Sequence, residues 1–339
     1  MQAARSPDIA VGPHPPFDVL MTTTIAVSDT PFIKQDVVRD ELAPIDHELE
    51  PIPTGDREAI VDADPEALVL DVNTGVDADL VDRLDALQIV ARAGTGFDNV
   101  DVEACRDAGV EVVNVPGYST NEVATHAFSL LLACRRTLVE YDRDVKTEEW
   151  NWMPDRPFPR FYGSTLGVVS FGTIAQRLAD LTAGFDLDLV VYDPYVDEET
   201  TDEYDADLVE FEELLDRADA VTIHAPLTEE TRGMFDAEAF ERMADHAIVV
   251  NVGRGGIVDE DALYEALVDR EIFGAGLDVM DEEPPTGSPL LERDDVVLTP
   301  HAAWYSADSH QDLNETVAGD VRRVLQGEEP ENPVQPKGW

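Results

Sequence analysis

Three side chains with acid–base or anion-binding chemistry follow three separate strand-like segments of this sequence. Arg254 lies in Asn-Val-Gly-Arg-Gly-Gly, Glu283 in Met-Asp-Glu-Glu-Pro, and His301 in Leu-Thr-Pro-His-Ala-Ala. Sites in open parallel sheets form beyond the carboxyl ends of the strands, so we expect these side chains to meet at one rim. A histidine moves protons near neutral pH, and an arginine fork holds a carboxylate or phosphate. Each residue alone is unremarkable, but together, with Asp278 beside them, they predict a site.

A glycine-containing turn between a strand-like and a helix-like segment predicts a second feature, a dinucleotide-binding loop. The segment GVVSFGTIA fits the pattern G-x-G-x-x-G/A with Ser170 in the first position, Gly172 in the second and Ala175 in the third. A helix that begins at Thr173 and Ile174 would direct its amides and its positive dipole end at a pyrophosphate. The same turn is also compatible with a purely structural role. With one glycine missing, it further resembles the G-x-S-x-G turn that presents a nucleophilic serine.

An acidic residue at the end of the next strand strengthens the dinucleotide interpretation. Asp193 lies 23 residues after Ser170, in Val-Val-Tyr-Asp-Pro-Tyr. A carboxylate at this spacing accepts hydrogen bonds from the ribose hydroxyls of the adenosine and repels a 2′-phosphate. The spacing therefore predicts NAD rather than NADP. The alternative is an Asp-Pro turn with no ligand.

Short apolar and β-branched runs alternate with helix-like segments along most of the chain. Strands are predicted at Thr22–Val27, Ala67–Val72, Gln88–Ala91, Val110–Val113, Leu166–Ser170, Leu187–Tyr192, Ala220–Ile223, Ala247–Val250, Gly274–Leu277 and Val296–Leu298. Helices are predicted at Ala78–Leu84, Val102–Asp107, Asn121–Thr137, Thr173–Thr182, Phe211–Ala218, Asp259–Asp269 and Asn314–Leu325. Such alternation predicts βαβ units, and its two series predict an α/β fold with two doubly wound parallel sheets.

The charge of the chain excludes several classes of protein and predicts another property. The 339 residues contain 23 Lys+Arg and 73 Asp+Glu, a formal net charge of −50, with 43% hydrophobic residues. Such an acidic surface repels nucleic acids and anionic membranes, and no apolar run approaches the roughly 20 residues of a bilayer span. Lysine occurs only at Lys34, Lys146 and Lys337, and we expect a halophilic protein because molar salt screens the self-repulsion.

The cysteine content and the first residues bear on where the protein is found. The two cysteines, Cys105 and Cys134, form neither a disulfide framework nor a metal cluster, so no metal site is expected. Residues 1–20 are proline-rich, lack the apolar centre of a secretory signal, and are expected to be either a disordered extension or the result of a wrongly chosen upstream start codon. Together these features predict a cytoplasmic protein.

Longer motifs carry a resemblance to a known family. They are Val221–Arg232 (VTIHAPLTEETR), Asn251–Glu260 (NVGRGGIVDE), Gly276–Val279 (GLDV) and Thr299–His301 (TPH). In these motifs and in their order, from about residue 25 to 334, the chain resembles the NAD-dependent D-isomer-specific 2-hydroxyacid dehydrogenases. Within that phosphoglycerate dehydrogenase-like family, three further segments are most similar to the branch of the C-terminal-binding-protein corepressors: Gly94–Asn99, Tyr192–Tyr195 and His301–Ser306.

The resemblance implies roles for the matching residues. His301 would be the general acid/base, Glu283 its partner, and Arg254 the group that grips the substrate carboxylate and polarises the carbonyl. Other positions would bind the substrate, namely Arg92, Thr95, Gly96 and Trp304. The NAD(H) cofactor would be bound by Gly172, Thr173, Ile174, Asp193, Ala225, Pro226, Thr231, Val252 and Asp278. Ser170 departs from the family pattern, where a glycine is usual.

The family also implies an architecture. A Rossmann NAD-binding domain, about 117–302, would be inserted into a flavodoxin-like substrate domain formed by 21–116 and 303–339. The family is usually dimeric through the cofactor domains. The aromatic segment 149–162 (EWNWMPDRPFPRFY) is a candidate contact for a homodimer.

Two functions from different classes are compatible with these features. The first is an oxidoreductase acting on the CH–OH group of D-2-hydroxy acids, with NAD as acceptor and a small 2-keto acid as the oxidised partner. The alternative is an NAD(H)-sensing, corepressor-like interaction protein with little turnover. The intact set of Arg254, Glu283 and His301 favours the enzyme, because a pure binding module has no physical need for a paired acid and base. Trp304 would either cover an apolar substrate side chain or pack at a hinge.

Overall fold

The computed structural model describes residues 22–153 and 156–334, which form two parallel sheets with helices between the strands. The expected disordered extension, residues 1–20, lies outside the described residues. The strands are β1 Thr23–Ser28, β2 His47–Ile52, β3 Ala67–Leu70, β4 Ile89–Arg92, β5 Glu111–Val113, β6 Thr165–Val169, β7 Asp188–Tyr192, β8 Ala206–Leu208, β9 Ala220–Ile223, β10 Ile248–Asn251, β11 Gly274–Leu277 and β12 Val296–Leu298.

The helices connect these strands, as expected for parallel neighbours. They are α1 Gln35–Glu41, α2 Arg57–Ala63, α3 Ala78–Val81, α4 Val102–Asp107, α5 Thr120–Arg135, α6 Leu138–Lys146, α7 Thr173–Thr182, α8 Glu198–Asp202, α9 Phe211–Arg217, α10 Ala237–Arg242, α11 Glu260–Asp269 and α12 Ala307–Leu325. None of these described helices combines the length and the apolar character that a membrane crossing requires.

Both strand orders are doubly wound, which confirms the predicted α/β class. The first sheet has the order β2-β1-β3-β4-β5, and the second has the order β12-β11-β10-β9-β6-β7-β8. The first order is flavodoxin-like, and the second is the Rossmann order extended by one strand. In each sheet the order of the strands along the chain reverses at one point, between β1 and β3 in the first sheet and between β6 and β9 in the second. Ligands bind beyond the carboxyl ends of the strands near such points.

Strands covered on both faces explain why the apolar runs were recognisable in the sequence. In β3, Ala67 and Val69 pack on one side of the first sheet, while Leu68 and Leu70 pack on the other. All four residues are at most 2% exposed. Period-two side chains on a strand that helices cover on both faces give a continuous apolar run rather than an alternating one.

The sequence prediction missed two edge strands and placed one helix start too late. β2 (HELEPI) and β8 (ADL) each pair with one neighbour, and their exposed positions carry polar residues instead of an apolar run. α12 begins at Ala307 rather than Asn314, because Ser306 and Ser309 form a reciprocal capping box there.

The last helix returns to the first sheet. Leu313, Val317 and Val321 are fully buried in the same cluster as residues of β1, β3 and β4. The C-terminal helix therefore packs on the sheet formed by the N-terminal strands. The domain boundaries expected near residues 116 and 302 stay a prediction.

Candidate active site

A cleft of about 540 Å³ lies between the carboxyl ends of the two sheets. Its walls come from segments that follow β1, β3 and β4 on one side and β9, β10, β11 and β12 on the other. All of the predicted substrate and catalytic positions line it, together with part of the predicted cofactor set: Arg92, Thr95, Gly96, Ile174, Ala225, Pro226, Val252, Arg254, Asp278, Glu283, His301 and Trp304. The residues that the strand-end argument grouped, Arg254, Glu283 and His301 with Asp278, thus lie around one cleft, and their roles stay a prediction.

His301 and Glu283 form a hydrogen-bonded pair at the cleft. The Nδ1 atom of His301 lies 2.8 Å from Oε2 of Glu283, which directs the other ring nitrogen away from the carboxylate. Burial alone would raise the pKa of Glu283, but its hydrogen bond with His301 and the charge of that ring lower it below its usual range. The carboxylate is thus ionised and suited to stabilise a protonated imidazole.

Asp278 anchors the loop that carries His301. Its carboxylate accepts hydrogen bonds from Thr299 Oγ1 at 2.6 Å and from the amides of Ala302 and Ala303, both at 2.9 Å. Its backbone oxygen accepts from the amide of His301 at 2.8 Å, and His301 adopts a left-handed φ of 52°. The sequence analysis assigned Asp278 to the cofactor and missed this anchoring contact.

A second histidine joins the same network. Nε2 of His126, on α5, lies 3.0 Å from Thr299 Oγ1, and it lies 3.5 Å from the carboxylate of Asp278. The long helix is thereby tied to the loop that holds His301. The sequence signal was a histidine on a long helix, but its partner lies 173 residues away.

Arg92 is a buried cation with few hydrogen-bond partners. It ends β4, is 6% exposed, and donates through Nη1 to the carbonyl of Ala93. Among the residues that the structure describes, no acceptor reaches its Nε atom. Burial, assisted by the charge of Arg254, lowers the pKa of Arg92 to about 10. A buried guanidinium with free donors at the edge of a cleft favours a bound anion.

Arg254 is held by groups from both sides of the cleft. Its Nη1 atom donates to the carbonyl of Gly253 at 2.9 Å, while Nε and Nη2 donate to Oδ1 of Asp98 at 3.3 and 3.1 Å. The guanidinium lies against Gly96, where an added Cβ would overlap Nη2. This close approach explains why position 96 has no side chain.

The loop of Arg254 also packs against the segment before Glu283. A Cβ added to Gly255 would overlap the carbonyl group of Met280, so the two backbones touch. The amide of Met280 in turn donates to Oε1 of Glu283 at 3.2 Å. Backbone contact therefore fixes the arginine loop relative to the acid–base pair.

The loop after β6 has the conformation of a dinucleotide-binding turn. Ser170 has a φ of 68°, a value that favours glycine and explains why glycine is usual at this position. Gly172 is the N-cap of α7, and no atom lies within 4 Å of a Cβ added there. The third position, Ala175, is 1% exposed against the sheet. Open space at Gly172, next to the first amides of α7, fits a pyrophosphate.

Asp193 lies where the spacing predicted, at the end of β7, but its oxygens have protein partners. Oδ2 accepts from the amide of Phe171 at 2.8 Å and from Ser170 Oγ at 3.3 Å, and Oδ1 accepts from the amide of Tyr195 at 2.8 Å. The carboxylate therefore braces the loop around Ser170. It is 9% exposed and lies beside the predicted adenosine site.

Some predicted cofactor residues lie outside the cleft. Gly172, Thr173, Asp193 and Thr231 are not among its lining residues. Thr231 lies behind the lining, where its hydroxyl donates to the carbonyl of Pro226 at 2.6 Å. The sequence grouped these positions by motif, whereas the structure does not place them in the lining of this cleft.

His224 is a cleft residue that sequence reasoning did not select. Its Nε2 atom lies 3.0 Å from Thr222 Oγ1, and among the described residues nothing pairs with its buried Nδ1 atom. Burial lowers the pKa of His224 to about 4, so the ring is neutral. His224 lines the cleft, and its buried nitrogen has no partner in the parts of the chain that the structure describes. A polar ligand such as a dinucleotide would supply the missing hydrogen bond.

Trp304 belongs to an aromatic group at the substrate end of the cleft. Its ring meets Phe32 edge to face at 4.7 Å and His310 at 5.5 Å, and it lies 6.3 Å from Tyr118. Phe32, Tyr118 and Trp304 all line the cleft. Trp304 therefore both lines the cavity and packs between α12 and the segment after β1.

Comparison with known proteins gives a consistent family. The model of the D-isomer specific 2-hydroxyacid dehydrogenase NAD-binding domain matches residues 128–303. D-3-phosphoglycerate dehydrogenase of Methanocaldococcus jannaschii is 39% identical over 82% of this chain and 52% of its own length. Glyoxylate reductase of Korarchaeum cryptofilum is 40% identical over 80% of this chain and 83% of its own length. The chain thus spans about half the length of the phosphoglycerate dehydrogenases it matches.

Solved structures agree with the sequence comparisons. A protein from Thermus thermophilus superposes with a TM-score of 0.84 at 32% identity, covering 92% of this chain and 100% of that one. D-lactate dehydrogenase of Aquifex aeolicus, determined with NAD and lactic acid, gives a TM-score of 0.81 at 25% identity, covering 91% and 98%. The chain therefore belongs to the D-isomer specific 2-hydroxyacid dehydrogenase family, and its second sheet lies in an NAD-binding domain.

Proposed function

We propose that this chain is an NAD-dependent D-2-hydroxyacid dehydrogenase that reversibly reduces a small 2-keto acid. The observation that carries the proposal is one cleft lined by a His301–Glu283 pair and by two guanidinium groups, those of Arg92 and Arg254. An acid–base group beside two cations suits a substrate with a carbonyl next to a carboxylate.

Each of these side chains has a definite part in the proposed reaction. In reduction, protonated His301 donates its proton to the carbonyl oxygen, and in oxidation neutral His301 accepts the hydroxyl proton. Glu283 holds the ring and stabilises its protonated form. Arg92 and Arg254 hold the carboxylate, and Arg254 also polarises the carbonyl. NADH, when bound, supplies the hydride, so the protein contributes position, charge and proton transfer. The acid–base group contributes roughly 10²- to 10⁴-fold to the rate.

The proposed cofactor preference is NADH over NADPH. The Asp193 carboxylate lies at the end of β7, beside the loop that precedes α7. Its charge opposes the 2′-phosphate of NADPH at the predicted adenosine site. Gly172 and the open N-terminus of α7 would accept the pyrophosphate. NADPH turnover equal to NADH turnover would contradict this assignment.

The cleft favours 2-keto acids without a phosphate. Within the described part of the chain, Arg92 and Arg254 are the cleft's only lysine or arginine side chains, and both are assigned to the substrate carboxylate. The remaining substrate wall contains the buried carboxylate of Asp71 and the aromatic rings of Phe32 and Trp304. We therefore rank hydroxypyruvate, glyoxylate and apolar 2-keto acids above the phosphorylated substrate of a phosphoglycerate dehydrogenase.

We also propose a homodimer in which the first part of the aromatic segment 149–162, next to the exposed helix α6, forms the contact. Trp150 and Trp152 are 87% and 75% exposed, and no residue of α6 is buried. The later part of the aromatic segment packs on its own chain instead, since Phe158 meets Phe273 edge to face and Phe161 is 6% exposed. Light scattering tests the proposal, and a monomeric mass in molar KCl would contradict it.

The function is tested by NADH oxidation in molar KCl against glyoxylate, hydroxypyruvate, phosphohydroxypyruvate and an apolar 2-keto acid. We expect turnover of at least one non-phosphorylated acid. His301→Gln and Arg254→Ala should remove turnover and retain NADH binding, measured by fluorescence. His47→Gln, on β2 and outside the cleft, is the matched control and should retain activity. NADH binding without turnover of any acid would refute the enzyme and favour the NAD(H)-sensing interaction protein.

A further inference from the structure

An ion pair joins the two walls of the cleft at Arg254. Asp98 follows β4 of the first sheet, and Arg254 follows β10 of the second. One carboxylate oxygen of Asp98, Oδ1, accepts from both Nε and Nη2 of the guanidinium, at 3.3 and 3.1 Å. The orientation of an arginine on the cofactor side of the cleft is therefore set by a carboxylate on the substrate side.

Asp98 supports Arg254 from outside the cleft. Arg254 is a lining residue of the cavity and Asp98 is not. The third nitrogen, Nη1, donates to the carbonyl of Gly253 at 2.9 Å, so each guanidinium nitrogen has one protein acceptor. A guanidinium has five N–H donors, which leaves two for a ligand. The plane of the guanidinium is thereby fixed before a substrate arrives.

The pair is electrostatically significant because a second cation lies nearby. The charge of Arg254 contributes to lowering the pKa of the buried Arg92, so the two guanidinium groups repel each other. Burial would raise the pKa of Asp98, but the charge and hydrogen bonds of Arg254 outweigh it and lower that pKa. Asp98 is therefore ionised and offsets part of the positive charge of the two arginines.

We propose that Asp98 is a positioning residue that holds Arg254 in the orientation that binds the 2-keto acid. This inference rests on the proposed function, because it assigns Asp98 a part in holding the same substrate. The geometry around Gly96 supports it, since Nη2 of the guanidinium lies where a Cβ of residue 96 would be, close to Oδ1 of Asp98. Asp98 acts through Arg254 and does not itself line the cavity.

Positioning and simple electrostatics predict opposite effects when Asp98 loses its charge. If Asp98 only offset the positive charge, Asp98→Asn would leave more net positive charge at the cleft and the anionic substrate would bind more tightly. If Asp98 positions Arg254, the same variant would bind substrate more weakly, because the guanidinium is free to rotate. The sign of the change in KM therefore distinguishes the two.

The experiment compares wild type, Asp98→Asn, Asp98→Ala and Asp98→Glu, each saturated with NADH, on the 2-keto acid that wild type turns over best. Asp216→Asn is the matched control, since Asp216 pairs with Arg242 at 2.8 Å on the surface of the second sheet's helices. Oxamate, an unreactive analogue of a 2-keto acid, gives the dissociation constant directly. Melting temperature and NADH affinity report on folding and on the cofactor site.

We expect Asp98→Asn and Asp98→Ala to raise KM and the oxamate dissociation constant about 10- to 100-fold, the usual cost of misplacing a substrate-holding group. The loss in kcat should be smaller, Asp98→Glu should recover part of the loss, and NADH affinity and Asp216→Asn should match wild type.

An unchanged or lower KM in Asp98→Asn, with wild type active, overturns the positioning role and leaves the proposed function unaffected. Loss of NADH affinity or of the folded state in parallel with KM also overturns it, because the carboxylate would then be structural. Wild type that neither turns over a 2-keto acid nor binds oxamate refutes the proposed function, and the inference fails with it.

Discussion

Replacing Glu283 by glutamine tests the acid–base assignment most directly. The variant keeps the size of the side chain and an acceptor oxygen but removes the charge that faces His301 at 2.8 Å. An ionised carboxylate favours the protonated ring, so its loss leaves less protonated His301 at any given pH. Reduction needs the protonated ring, and its alkaline limb should move to lower pH. Oxidation needs the neutral ring, and its acidic limb should move to lower pH as well.

The size of this displacement follows from the geometry and exposure of the pair. Two unit charges about 4 Å apart interact by about 4 kcal/mol at the dielectric typical of a protein surface. The side chains of His301 and Glu283 are 33% and 36% exposed, so solvent screening reduces this figure. We expect about 1–2 kcal/mol of this interaction to remain. Reduction near neutral pH should therefore slow several-fold.

The assay is the full pH profile of kcat/KM in both directions, at constant molar KCl, for wild type and Glu283→Gln. Glu282→Gln is the matched control, because it removes the neighbouring exposed carboxylate, and the contact with His301 belongs to Glu283. Profiles of Glu283→Gln that coincide with wild type, or limbs that move to higher pH, would refute the reasoning. A shift of the same size in Glu282→Gln would show that the effect comes from general surface charge and not from the contact with His301.

Three further outcomes are expected. Gly96→Ala should displace Arg254, because its Cβ would overlap Nη2, and should raise KM at least about tenfold with NADH affinity retained; an unchanged KM would contradict the packing. The melting temperature should rise from low to molar KCl, because salt shortens the screening length from about 10 to about 3 Å around a net charge of −50; a constant value would contradict halophily. Burial raises the pKa of Cys105 to about 11 and of Cys134 to about 12, so both thiols should react with a thiol reagent only after unfolding; reaction of the native protein would contradict this.

The sequence by itself determined the fold class and the residues at the strand ends. Central strands such as β3, β9 and β10 are buried on both faces, so they appear as unbroken apolar runs. The edge strands β2 and β8 were missed because they carry exposed acidic residues, whereas the edge strands β5 and β12 keep apolar runs and were predicted. Arg254, Glu283 and His301 could be grouped because parallel topology brings strand ends to one rim.

Only the tertiary structure decided which partner each polar group takes. It paired Arg254 with Asp98 across 156 residues of sequence, and it turned the carboxylate of Asp278 toward the loop of His301. It also placed His224 in the cleft wall with a buried nitrogen that no described residue pairs. Local spacing cannot give these contacts, because a hydrogen bond depends on distances of a few ångströms and on angles. Those are fixed only when the two sheets and their loops pack against each other.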